Sequence, residues 1–222
     1  MSTHFSEQSL RKLAHQLSHP SGKEGIAVAN QMHQHNFPMT QKSIHLLNIQ
    51  SHDRVLELGH GNGAHVHYLL QQAEGIHYTG LEISTLMNQE SIQINHESVH
   101  HNQSQFTLYD GVSIPFPDRS FNRIFTVNTI YFWSAPSPLL QEIRRVLDIE
   151  GRFVITFMPK EYMTKLPFTR HGFTLYHTQE VDDLVLKNGF SKLESADLVD
   201  QVEAKSGKIH DRCFSVRVYQ RN

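Results

Sequence analysis

Three glycines at alternate positions, Gly59, Gly61 and Gly63, follow an aliphatic run of Val55, Leu56 and Leu58 that is interrupted by one acid, Glu57. Glycine at every second position lets a chain turn sharply and lets a ligand approach the backbone with no Cβ in the way. A strand, turn and helix of this kind also points free backbone N–H groups at that ligand. The chemistry on offer is the cradling of a polar cofactor. A second acid, Glu82, closes the short run that starts at His77, and a carboxylate at the end of a second strand can accept hydrogen bonds from both hydroxyls of a ribose. Asp110, Gly111 and Val112 follow a third apolar run, and Asn128 follows a fourth. Ligands of open α/β sheets gather outside the carboxyl ends of the strands, so all of these residues converge on one place. Tyr131, Phe132 and Trp133 come next, an aromatic set able to exclude water and hold a flat or cationic substrate.

The elements that must hold these residues alternate between strand and helix. Strands are expected over 55–58, 77–82, 106–109, 121–127 and 152–158, with helices over 62–73 and 84–101 between them. A helix opening at Pro136 carries Leu139, Leu140, Ile143, Val146 and Leu147 on one face. Another is capped by Thr178, carries Glu180 in its first turn and stops at Gly189. Residues 1–50 read as a helical extension: Leu10, Leu13, Ala14 and Leu17 recur at helical spacing, a break falls at 19–22, and further helices are expected over 23–35 and 40–48. The stretch 159–177 is long, aromatic and irregular, which suits a binding loop on the substrate side. The last thirty residues read as a hairpin turning near Ser206 and Gly207. The whole is an α/β chain of one domain, 1–222, with 51–222 as its core.

Composition narrows the partners. Twenty basic residues stand against 22 acidic ones and are scattered, so no basic face is set aside for nucleic acid. No apolar run reaches the length of a membrane span. The start lacks the basic and apolar regions of a secretory signal, and a single cysteine, Cys213, fits a reducing compartment; a cytoplasmic protein is expected. Seventeen histidines include the local pairs His33 and His35, His65 and His67, and His100 and His101. Residues two apart on a helix point in different directions, and no carboxylate or cysteine grid completes a site, so no metal is expected. Oligomeric state is not legible.

The pattern Glu57-x-Gly59-x-Gly61-x-Gly63 resembles the first motif of the class I S-adenosylmethionine-dependent methyltransferases. Further likenesses are the 114–118 run Ile-Pro-Phe-Pro-Asp, similar to the family's L-P-F-x-D, and the 145–151 turn Arg-Val-Leu-Asp-Ile-Glu-Gly, similar to its R-V-L-K-P-G-G without the proline. The flavour is that of the small bacterial ubiquinone and menaquinone C-methyltransferases, in the cofactor half. The resemblance implies a Rossmann-like, doubly wound, seven-stranded sheet, parallel except for an antiparallel last strand. It implies S-adenosyl-L-methionine as cofactor, held by Glu57, Gly59, Gly61, Gly63, Glu82, Asp110, Gly111, Val112 and Asn128. It further implies methyl transfer by in-line displacement to a small-molecule acceptor that the sequence does not identify. Tyr131 and Trp133 are the substrate-side candidates.

Asn128 and Tyr131 occupy the ends of an Asn-Pro-Pro-Tyr pattern typical of amino-group methylation, but both prolines are missing and that activity is not carried over. Tyr131, His35 and His171 have the chemistry of a general base, and none is singled out. A nicotinamide-dependent oxidoreductase shares the fold logic and the ribose acid, and Ala64 satisfies the loose form of G-x-G-x-x-G/A; Glu57 and Gly63 are foreign to that fingerprint. A non-catalytic protein that binds S-adenosylmethionine is the remaining alternative.

Overall fold

A strand that is apolar on both faces needs cover on both faces, and the first strand has it. The computed structural model describes residues 6–203, 207 and 209–222. Its strands are β1 (Arg54–Leu58), β2 (His77–Glu82), β3 (Ser104–Leu108), β4 (Phe121–Val127), β5 (Leu147–Phe157), β6 (Phe190–Glu203) and β7 (Ile209–Arg221). They form one sheet of order β3-β2-β1-β4-β5-β7-β6. β1 pairs in parallel with β2 and β4, β2 with β3, and β4 with β5, whereas β7 runs antiparallel to both β5 and β6. The strand order reverses between β1 and β4, which opens a crevice at the carboxyl ends of those strands.

The helices are α1 (Glu7–Ser18), α2 (Gly22–Leu47), α3 (Val66–Leu70), α4 (Thr85–Ile94), α5 (His96–His100), α6 (Pro136–Val146), α7 (Lys160–Met163) and α8 (Thr178–Lys187). On one face of the sheet Leu56, Leu58, Leu81, Ile124 and Phe153 pack with Leu139, Leu140, Ile143 and Val146 of α6 and Val181 and Val185 of α8. On the other, Val55, Tyr78, Phe125, Val154 and Val216 pack with Met39, Ile44 and Leu47 of α2 and Val66 and Leu69 of α3. The alternation of aliphatic residues along each strand thus feeds two cores. No helix of the described residues is long and apolar enough to cross a membrane.

Several boundaries differ from the sequence expectation. The helices expected over 23–35 and 40–48 are one helix, α2, which runs through Pro38. An interior proline costs about 3 kcal/mol or more, and the burial of Met39, Ile44 and Leu47 against the sheet offsets it. α3 is a helix of only five residues, because the turn after Gly63 continues to His65. The helix expected over 84–101 breaks at Asn95, whose side chain is drawn into the glycine turn. β5 starts five residues early, directly from α6, with Glu150 at φ +61° taking up the irregularity. The stretch 159–177 contains α7 and a 3₁₀ turn, Pro167–Arg170. Of the expected hairpin turn, Gly207 has φ +77° and Ser206 lies outside the described residues.

Candidate active site

The glycine turn leaves β1 in left-handed backbone: Gly59, Gly61 and Gly63 have φ of +73°, +58° and +66°. Two of them differ instructively. A Cβ on Gly59 would stand 2.5 Å from the Thr129 Cγ2, so the end of β4 presses directly on the turn. Among the described residues a Cβ on Gly61 would meet nothing within 4 Å, and open space at a backbone that only glycine adopts easily is the cradle a ligand requires. The turn is fastened from behind by asparagines: Asn95 Nδ2 donates to the Gly63 carbonyl at 3.0 Å, and Asn62 accepts from the Ala64 N–H at 3.3 Å. Asn62 Nδ2 also donates to Asn30 Oδ1 of α2 at 3.0 Å, which ties the N-terminal helix to the turn. Nothing in the sequence pattern marks these three asparagines.

Glu82, at the end of β2, reaches the same turn. Its Oε2 accepts from the Gly61 N–H at 3.1 Å, and its Oε1 from the N–H groups of Ile83 at 2.8 Å and Ser84 at 3.0 Å. Only 6% exposed, its carboxyl is pushed up by burial, while the three backbone donors pull the other way. Ser84 Oγ donates to the Pro20 carbonyl at 2.8 Å, so the junction between α1 and α2 lies beside this acid. Beyond β3, Asp110 Oδ1 accepts from Val112 at 2.8 Å and Ser113 at 2.6 Å. Those N–H groups, Ser113 foremost, hold its carboxyl below the usual range and shape the loop through Gly111, at φ +85°.

Glu57 turns inward. Its Oε2 accepts from the Tyr78 hydroxyl at 2.5 Å and lies 2.7 Å from His65 Nε2, all three side chains being buried. The Tyr78 phenol is pushed well above its ordinary value, first by burial and then by Glu57. His60 lies in the same layer, across Gly80 and edge-on to Phe106 at 5.1 Å. Its Nδ1 is 2.8 Å from the Gly61 carbonyl. A carbonyl can only accept, so Nδ1 carries the proton, and Nε2 is left buried with no partner among the described residues. Burial pushes the imidazole down to about 4. The glycine turn therefore rests on a buried polar floor.

At the end of β4, Asn128 is left-handed at φ +59°, and its backbone N–H donates to the Thr156 carbonyl at 2.8 Å. The Tyr131 hydroxyl lies 3.1 Å from the Met158 carbonyl and 3.2 Å from Asn128 Oδ1, and accepts from the Met158 N–H at 2.5 Å. Tyr131 is 2% exposed, so it braces β4 against β5 from within the core. Trp133 is half-buried, and its Nε1 donates to Thr129 Oγ1 at 3.0 Å. Phe132 and Phe168 pack on Phe173 at 4.6 and 5.7 Å, an aromatic cluster that sequence reading places only loosely. α1 covers it from the N-terminal side, where Glu7 Oε1 lies 3.1 Å from His171 Nε2. The His35 carbonyl accepts from Arg212 at 2.8 Å, so α2 is pinned to the β6 and β7 hairpin as well. Among the described residues no three His, Cys, Asp or Glu side chains gather as metal ligands. A cleft of about 420 Å³ beside the starts of α6 and α8, lined by Pro136, Leu175, Tyr176 and Glu180 among others, shares none of the residues above.

Residues 56–155 match the family described as Methyltransferase domain. YrhH of Bacillus subtilis, named as a methyltransferase, is 32% identical over 110 residues, which are 50% of this chain and 60% of that protein. The demethylmenaquinone methyltransferase of Thermotoga maritima is 32% identical over 103 residues, 46% of this chain and 42% of that one. The chain thus spans less than two thirds of the length of these relatives. A S-adenosylmethionine-dependent methyltransferase structure from Aquifex aeolicus superposes with a TM-score of 0.64 at 21% identity, covering 98% of this chain and all of that one, a likeness of fold. Strand order, sequence match and solved neighbour agree: residues 56–155 match the Methyltransferase domain family, and the sheet built around them shares its fold with a S-adenosylmethionine-dependent methyltransferase.

Proposed function

We propose that the protein transfers a methyl group from S-adenosylmethionine to a small-molecule acceptor. The observation that carries this reading is the pairing of an open, left-handed Gly61 with the buried Glu82 carboxylate on the same side of the turn. When bound, the cofactor supplies an activated methyl on a sulfonium centre. Gly59, Gly61 and Gly63 would hold its methionine part, Glu82 would accept from the ribose, and the 110–112 loop with Asn128 would border the remaining contacts. Glu57, facing Tyr78 and His65, sets the turn from beneath.

The protein's part in the reaction is alignment and exclusion of water, since the leaving group is already activated. Phe132, Trp133, Phe168 and Phe173 provide an apolar acceptor side, with α1 and α2 as its cover and 159–177 as its loop. Such a wall suits an acceptor with an apolar or aromatic body. Tyr131 is a poor general base, because its hydroxyl is already bonded and burial pushes it further up. The balanced charge of the chain and its lone cysteine support a metabolite acceptor in a reducing, cytoplasmic setting.

The test is a calorimetric or thermal-shift titration with S-adenosylhomocysteine, run beside NAD. Saturable binding of the first alone is expected. A response to NAD alone would replace this reading with a nicotinamide-dependent one, and silence to both would defeat the assignment of the turn.

A further inference from the structure

Between the glycine turn and the chain's single tryptophan stands one residue, Thr129, with a bond to each side. Its Oγ1 accepts from Trp133 Nε1 at 3.0 Å and lies 2.5 Å from Thr126 Oγ1. Thr126 Oγ1 in turn donates to the Leu58 carbonyl at 2.8 Å. The directions of these bonds are fixed by the groups at the two ends. An indole N–H only donates and a carbonyl only accepts. Thr126 gives its single proton to Leu58, so it must accept from Thr129, and Thr129 gives its own proton to Thr126. Every hydroxyl in the chain is used once, from the Trp133 ring to the residue that precedes Gly59.

The other branch of Thr129 acts by contact. Its Cγ2 fills the space over Gly59, so close that a Cβ there would stand 2.5 Å away. Thr126 is fully buried, which leaves no slack between β1 and β4. A displacement of the turn is therefore felt at Thr129 by steric contact and through the Leu58 carbonyl, and Trp133 is held to Thr129 by its only donor. Close-packed interiors pass such shifts on instead of absorbing them.

We infer that Thr129 is a positioning residue that couples the setting of the Trp133 indole to the glycine turn, so that filling the turn alters the acceptor side of the site. This rests on the reading of the turn as the seat of S-adenosylmethionine. Its consequence is an order of events: the acceptor meets its finished wall only after the cofactor is in place.

Because Trp133 is the only tryptophan, its fluorescence reports this residue alone. S-adenosylhomocysteine is titrated into the wild type, Thr129→Val and Thr129→Ser, with binding followed by calorimetry and Trp133 by emission and acrylamide quenching. In the wild type, saturation changes Trp133 emission by at least a fifth. Thr129→Val keeps the methyl contact but loses the hydroxyl; its affinity stays within about threefold of wild type, while the emission response falls to less than half. Thr129→Ser keeps the hydroxyl and restores the response. Melting curves confirm that each variant is folded, and Thr129→Ala takes the place of the valine variant if that one is not. Calorimetric binding with a silent Trp133, or a full response in folded Thr129→Val or Thr129→Ala, overturns the coupling and leaves the cofactor reading intact. Absence of calorimetric binding to the wild type overturns the cofactor reading, and the coupling falls with it.

Discussion

The backbone N–H of Gly61 donates to Glu82 Oε2 at 3.1 Å, so the most open position of the glycine turn and the acid at the end of β2 meet directly. Two segments read separately in the sequence are one structural unit. Three backbone donors hold the buried carboxylate in place before any ligand arrives, and such preorganisation lowers the cost of binding.

Replacing Glu82 by Gln keeps its volume and removes its charge. Hydrogen bonds to a charged group contribute about 1.5–3 kcal/mol, so S-adenosylhomocysteine should bind roughly ten- to a hundredfold more weakly. The unliganded melting temperature should fall, because the amide nitrogen cannot accept and leaves at least one of the three backbone donors without its partner. Calorimetry on the variant, with a melt beside it, checks both halves.

The turn glycines should fail in different ways. Gly61→Arg fills the open cradle and should abolish binding, at a folding cost of about 1–2 kcal/mol for a side chain in left-handed backbone. Gly59→Ala drives a methyl against Thr129 and should add a further loss of about 1–3 kcal/mol from overpacking. Urea titration of the two variants, compared with their affinities, separates a binding glycine from a packing one.

His60 should make the fold sensitive to mild acid. Its imidazole falls from an ordinary 6.5 to about 4 in the folded chain. Between those values the unfolded chain binds the extra proton, so stability decreases as pH falls from 6.5 and the loss is complete near 4. The full effect of one such group is about 3 kcal/mol. The difference between wild type and His60→Gln in denaturation midpoint should therefore change across that window; parallel curves would assign the acid sensitivity to other groups.

Tyr131→Phe should cost about 1–3 kcal/mol in stability, because it leaves the half-buried Met158 N–H without its hydroxyl partner. Affinity for S-adenosylhomocysteine should stay within a few fold of wild type. Once an acceptor is found, a loss of turnover far beyond the loss of stability would restore this residue as a participant in the chemistry.

Local signals located the strands and the glycine turn, because positive φ at Gly59, Gly61 and Gly63 and the aliphatic run before them leave few alternatives. The seven-stranded order and the single antiparallel strand followed from the resemblance and are borne out. What escaped was set by distant contacts. Pro38 signals a helix end, yet sheet burial carries α2 through it. Glu57 has the spacing of a ligand-facing acid, but Tyr78 and His65, which turn it inward, lie 21 and 8 residues away. Asn30, Asn62 and Asn95 secure the turn and read as ordinary polar positions. The tryptophan and tyrosine of one aromatic run part ways, Trp133 toward the surface and Tyr131 into the core, which no periodicity distinguishes.

β7 lies between β5 and β6, though it follows both in the chain. Until Ile209–Arg221 has been synthesised, the growing protein carries an open sheet edge at β5 and a strand, β6, with nothing to pair with. The aliphatic residues of β7, Val216 and Val218, are also part of the core beneath α2. Exposed edges and unfinished cores are the features that draw nascent chains into aggregates. Biogenesis of this protein therefore has a vulnerable interval, and its length is set by how long the last thirteen-residue strand takes to arrive.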